Sequence, residues 1–393
     1  MSHPITALAD EILATTVGNA GGAPGVVAMA TDRERNFYAG AAGVRELGQS
    51  VAMTTDTVMF LASCTKAIAG IALLQLVEER RVALSDAARN YVPEIAAIQV
   101  LDGFAADGEP RLRKPRSDIT LDQLMLHTAG FAYDFFNADL LRYRERVGMP
   151  SILTSSFAAI QDVLLHDPGV RWTYGSNIDW VGRVVEVVRG KRLGEVLQER
   201  VFAQLDMHDT AFTMTPSMAA RRATLHGRAA DGQLSAMPEM VLPQPPPMDM
   251  GGHGLYGTAG DYMKFIRMIL NDGAGPHGRV LKPESVAALA CNGLGPLKSG
   301  GWASSNPAFV NRGEFFPGVP KSWSYTFQVN DEPAPTGRPA GQLSWAGVAN
   351  TFYWIDRHTG VGGFWGTQIL PFLDIGTYPG FVAFETAVYR SLR

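Results

Sequence analysis

The stretch from Phe60 to Glu79 limits most strongly what this chain can fold into. It opens Phe60-Leu61-Ala62-Ser63-Cys64-Thr65-Lys66, runs on through Ile68, Ile71, Leu73, Leu74, Leu76 and Val77, and contains no proline. Apolar residues fall on nearly every side of the helical wheel until Glu78-Glu79-Arg80-Arg81. A helix that is apolar all round belongs in the middle of a core, so other elements must wrap this one. Ser63 and Lys66 stand three residues apart at its opening, a spacing that puts both on one helix face. The free N–H groups of a first turn carry partial positive charge. A hydroxyl, an amine and N–H donors therefore meet at one place. On these residues alone two readings stand: a lysine that activates a serine nucleophile, or a snorkelling lysine beside a simple N-cap serine.

The remaining chain sets broad bounds. A length of 393 residues suits one large domain or two interleaved ones. With 46% hydrophobic and 18% charged residues the chain reads as a globular protein. A net charge of −4 points neither to nucleic acid nor to an anionic membrane as partner. The only cysteines, Cys64 and Cys291, make neither a disulfide framework nor a zinc site. The eight histidines are scattered without ligand spacing, so no metal or other cofactor is expected. Residues 1–10 lack a basic segment followed by an apolar run, and no stretch is long enough to span a bilayer. A cytoplasmic location is expected; oligomeric state is left open.

Along the chain, residues 5–17 predict a first helix, and Val26–Ala30 with Phe37–Ala41 a hairpin. Residues 94–117, with the basic run Arg111–Arg116, read as irregular. Thr120 and Gln123 form a capping box, and the helix it opens ends in His127-Thr128-Ala129-Gly130. The helical period over Asn177–Phe202 breaks at Gly190. Residues 214–250 read as irregular, and Asp261–Leu270 as an amphipathic helix. Trp323, Tyr325, Phe327 and Val329 alternate as in one strand. Leu343–Val348, Thr351–Asp356 and Val361–Gln368 predict three more, with a closing helix at Phe381–Ser391. The expectation is an α+β fold: residues 1–92 and 251–393 form one α/β domain from both chain ends, and 93–250 an inserted, mainly helical domain with an irregular Pro-rich segment.

Two further stretches carry chemistry. In Arg171-Trp172-Thr173-Tyr174-Gly175-Ser176-Asn177, a tyrosine beside a cationic lysine can deprotonate more readily and serve as a base. The same residues suit a helix-entry turn. In Ser344-Trp345-Ala346-Gly347-Val348, a small residue on a strand edge allows close approach to a backbone N–H; a buried strand with one glycine fits equally.

Taken together these motifs resemble one superfamily. Ser63-x-x-Lys66, then Tyr174, then a late strand triad is the order of the serine β-lactamases and penicillin-binding proteins. Leu126-His127-Thr128-Ala129-Gly130 and Gly251-Gly252-His253-Gly254-Leu255-Tyr256-Gly257-Thr258-Ala259 look like two of its familiar segments. Within it the chain looks most like the family VIII carboxylesterases, relatives of class C β-lactamases, because Trp345-Ala346-Gly347 stands where penicillin-recognising members carry Lys-Thr-Gly. The resemblance implies a β-lactamase-like fold, with an antiparallel sheet flanked by helices. It implies Ser63 as nucleophile, Lys66 and Tyr174 as its base system, and the Ser63 and Val348 amides as oxyanion hole. Trp345, Ala346, Gly347, Tyr133 and Asn177 are expected to touch substrate. The motif departs from Tyr-x-Asn, since Ser176 holds the asparagine's place. Lys298-Ser299-Gly300 mimics the absent triad, but too far from the C-terminus to be it.

The expected activity is hydrolysis of small, neutral carboxylic esters through a Ser63 acyl-enzyme, since Trp345 removes the cation that would hold a β-lactam carboxylate. The alternatives are a β-lactamase, a D-amino-acid amidase or peptidase, or an acyltransferase using the same serine. A non-catalytic binding relative comes last.

Overall fold

The computed structural model of the protein describes residues 4–19 and 21–392; residues 1–3, 20 and 393, which the sequence assigns to the α/β unit, lie outside the described residues. Five helices frame the molecule: α1 (Thr6–Gly18), α2 (Thr65–Glu78), α3 (Asn177–Arg189), α4 (Ala259–Leu270) and α5 (Tyr378–Ser391). The main sheet joins both ends of the chain. An early hairpin of β1 (Gly25–Thr31) and β2 (Asn36–Gly43) meets five late strands. These are β3 (Lys321–Trp323), β4 (Gln328–Asn330), β5 (Gln342–Gly347), β6 (Thr351–Asp356) and β7 (Val361–Gly366). Their order is β3-β4-β5-β6-β7-β1-β2, antiparallel throughout.

Every residue of β5, β6 and β7 is buried, because helices cover both faces. Alternate side chains show the two layers. Tyr262 of α4 packs on Tyr353 and Phe364, while Phe384 of α5 packs on the neighbouring Trp354 and Trp365 from the opposite side. A residue buried on both sheet faces needs no polar alternation, which is why these strands read as apolar runs.

The central helix differs in one respect from expectation. Val58–Phe60 is a strand, paired with Tyr256–Thr258, and Phe60 donates its N–H to Gln368 Oε1 at 2.9 Å. Ala62 then takes a left-handed φ of 46°, a single 3-10 turn follows over Ala62–Cys64, and α2 proper begins at Thr65. From Thr65 to Leu76 every residue is buried.

Other elements depart from the sequence reading where they are short. Residues 94–117 contain the hairpin Val100–Phe104 with Pro110–Arg113, and in its basic run Arg113 pairs with Asp167. Residues 214–250 contain a second hairpin, Leu225–Arg228 with Leu234–Met237. The alternating run from Trp323 to Val329 is two strands rather than one, turned at Thr326 with φ 76°. The Thr120 capping box and the break at Gly190 are present as expected.

Candidate active site

The turn at Ala62 places Ser63 at the head of the core helix, and the glycine of β5 brings the second wall to it. A Cβ on Gly347 would lie 2.3 Å from Thr351 Oγ1 and 2.4 Å from the Leu61 carbonyl oxygen. Only glycine lets this strand lie against the Leu61–Ala62 backbone. Gly347 thus sets a backbone approach; it is not among the cavity-lining residues, unlike its neighbours Trp345, Ala346 and Val348. Ser63 and Val348, whose amides are the two oxyanion donors expected from the sequence, line the same cavity of about 330 Å³.

Lys66 is fully buried. Its Nζ donates to Ser63 Oγ at 3.2 Å, to Tyr133 Oη at 3.0 Å and to the Gly252 carbonyl at 2.7 Å. Burial lowers the lysine pKa, and the Asp179 carboxylate opposes that shift. Tyr174 lies against this group, with Lys66 Nζ 4.6 Å from its ring centroid. Its Oη accepts the Trp345 indole N–H at 2.9 Å. Burial raises the Tyr174 pKa, while hydrogen bonds with Ser63 and Trp345 pull it down. The two donors into one phenol oxygen offset part of that rise and place the oxygen between Ser63 and Trp345.

Some residues stand elsewhere than the sequence placed them. Tyr133 is buried and bound to Lys66, so it belongs to the proton network and is absent from the cavity lining. Asn177 is fully buried, and its Nδ2 is 2.9 Å from His127 Nδ1. It holds the Tyr174 loop from behind and is not among the cavity-lining residues. His127 receives that bond and the Gly175 N–H, packs on Tyr174 at 4.8 Å, and is kept neutral by burial. Cys64 is buried, which pushes its thiol up to about 12 and leaves it inert. Lys298 is exposed and paired with Asp331.

The sequence missed two kinds of residue. Trp302 and Phe372 help wall the cavity with Phe135, Phe136 and Trp172, but they come from segments without periodicity. Asp179 lies buried behind Lys66; its only sequence signal was an acid in the first turn of α3, where helix ends favour carboxylates anyway. Among the described residues no group of three His, Cys, Asp or Glu could hold a metal ion, and no helix is long and apolar enough to cross a membrane.

A serine with a buried lysine and a tyrosine oxygen, on a helix-head turn that faces the end of a strand across an aromatic cavity, is suited to acyl transfer. Comparison with known proteins agrees: the family model described as Beta-lactamase matches residues 6–374. The chain belongs to the β-lactamase family. Among relatives of this family, an acyltransferase of Monascus pilosus, mokF, is 35% identical over 67% of this chain, and the match spans 65% of that relative. The lovastatin esterase of Penicillium rubens is 34% identical, with 69% of each chain covered. The crystal structure of a LovD6 mutant of simvastatin synthase from Aspergillus terreus superposes with a TM-score of 0.85 at 28% identity, covering 98% of this chain and 97% of that one.

Proposed function

We propose that the protein cleaves carboxylic esters through an acyl-enzyme on Ser63, as a serine hydrolase close in kind to the family VIII carboxylesterases. The observation that carries this reading is the Ser63–Lys66 contact at 3.2 Å, opening into a cavity walled by aromatic rings. Ser63 Oγ attacks the ester carbonyl carbon while its proton passes to the Lys66–Tyr174 pair. The Ser63 and Val348 amides receive the oxyanion. The carbon–oxygen bond to the alcohol breaks, and the alcohol oxygen takes the proton back from the pair. Water then enters and the same proton path runs again, freeing the acid. We carry a cytoplasmic location as part of this reading, since both cysteines are free thiols.

A second reading replaces water by an alcohol acceptor, making the enzyme an acyltransferase. The resemblance to mokF favours it, as does a cavity whose lining is mostly apolar. Intact-mass spectrometry after fluorophosphonate treatment tests the shared step. Wild-type protein is expected to gain one adduct at Ser63, and S63A to gain none and to lose ester turnover. S63A with full turnover would overturn the proposal. Partition of an aryl ester's acyl group between water and added alcohols separates hydrolysis from transfer. A cephalosporin turned over much faster than the ester would reverse the substrate ranking.

A further inference from the structure

Behind Lys66 lies a carboxylate that the reaction as written does not use. Asp179, in the first turn of α3, is fully buried. Its Oδ1 accepts the Gly252 N–H at 2.8 Å, and the Gly252 carbonyl in turn accepts Lys66 Nζ at 2.7 Å. The close fit needs glycine there, because a Cβ on residue 252 would lie 2.4 Å from Asp179 Oδ2. That second oxygen is buried without a hydrogen-bond partner. A buried carboxylate with an open oxygen needs a nearby cation.

The groups facing this carboxylate leave one candidate. His253 Nδ1 is 3.8 Å from Asp179 Oδ1, but burial drives that ring down to about 3 and keeps it neutral. His127 is likewise held neutral by burial, and burial raises Tyr133, Tyr174 and Cys64, so they stay protonated at rest. Lys66, whose amine burial favours in the neutral form, is the one group of the cluster that can take on positive charge, which it does with the Ser63 proton, and Asp179 is the carboxylate that acts on it.

We propose that Asp179 is a positioning residue that holds Lys66 in place through Gly252 and strengthens the Lys66–Tyr174 pair as the base that takes the Ser63 proton. The inference rests on the reading of Ser63, Lys66 and Tyr174 given above. Asp179 itself neither gains nor loses a proton in the cycle. The Ser63 proton enters the pair as the carbon–oxygen bond to Ser63 forms, and leaves it for the alkoxide as the ester bond breaks. The negative charge of Asp179 favours the protonated pair. Without it the pair loses its proton at lower pH, which makes it a weaker base toward Ser63 and a stronger acid toward the alkoxide. A nitrophenolate leaves without that acid; an alkyl alkoxide needs it.

The test compares wild type, D179N and D179S on a p-nitrophenyl ester and an alkyl ester with the same acyl group, from pH 5 to pH 10. D179N keeps an acceptor for the Gly252 N–H and removes only the charge. D179S removes the charge with a different packing defect, and serves if D179N does not fold. The acid limb of kcat/KM is expected to move down by about one pH unit. On the aryl ester, whose leaving group needs no acid, kcat/KM above the acid limb is expected to fall roughly threefold to tenfold through the weaker base, and on the alkyl ester to fall less, because the stronger acid offsets part of the loss. An unmoved acid limb, or equal losses on both esters, would overturn the proposal. Fluorophosphonate labelling runs alongside: wild type without a Ser63 adduct would overturn the underlying reading instead.

Discussion

Replacing Trp345 by Phe tests how the strand β5 contributes to the chemistry. The change removes one N–H, which donates to Tyr174 Oη at 2.9 Å, and keeps an aromatic ring between Trp323 and Phe315. While Tyr174 is a neutral phenol the bond is worth about 1 kcal/mol; to a phenolate it is worth about 1.5–3 kcal/mol. The difference, about 0.5–2 kcal/mol, appears only as Tyr174 takes on charge, and its loss makes the phenolate harder to form. At about 1.4 kcal/mol per tenfold in rate, W345F is expected to lower kcat/KM roughly 2- to 30-fold. Its optimum should shift to higher pH, since burial alone already raises Tyr174. Initial rates on an aryl ester across pH measure both effects. Thermal unfolding reports the separate cost of the space left by the smaller ring. An unchanged kcat/KM with an unmoved pH profile would refute the reasoning and leave Trp345 as packing alone.

Tyr133 accepts from Lys66 Nζ, so Y133F is expected to lower kcat by about threefold to tenfold, from one lost neutral bond. Unchanged kcat would return Tyr133 to the role of a buried ring. Among the described residues lining the cavity, Arg171 carries the only formal charge. R171A is expected to raise KM several-fold for esters with a distal carboxylate and to leave neutral esters unchanged. Equal KM values for both ester types in R171A would show that Arg171 does not meet the substrate.

How much was legible depends on where each element lies. The core helix and strands β5, β6 and β7 were readable because burial on all sides forces apolar runs. The two hairpins at 100–113 and 225–237 were not, since strands of four residues such as Pro-Arg-Leu-Arg and Leu-Ser-Ala-Met are too short to show a period of two. Trp323 and Val329 belong to different strands although their alternation is continuous, because the turn at Thr326 preserved the period of two. At the site, Ser63, Lys66 and Tyr174 stood out by motif. The network behind them did not. Tyr133 and Asn177 read as pocket residues, and their place in the proton and loop scaffold follows from contacts across 67 and 50 positions of sequence. Asp179 looked like an ordinary first-turn acid; only folding brings Gly252 and Lys66 to it.

The pairing of β1 with β7 has a consequence for biosynthesis. Thr31 faces Gly362 and Val27 faces Gly366, so the early hairpin leaves the ribosome long before the strand that covers its inner edge. At ordinary elongation rates the delay is on the order of tens of seconds. During that time the strand Gly25–Thr31, every residue of which is buried in the finished fold, presents unpaired N–H and C=O groups. Trp345 and Val348 arrive equally late, so a nascent chain can carry its serine and lysine for most of its synthesis without catalytic competence. Activity in this protein is therefore a report that the late strands have been made and have met the early hairpin.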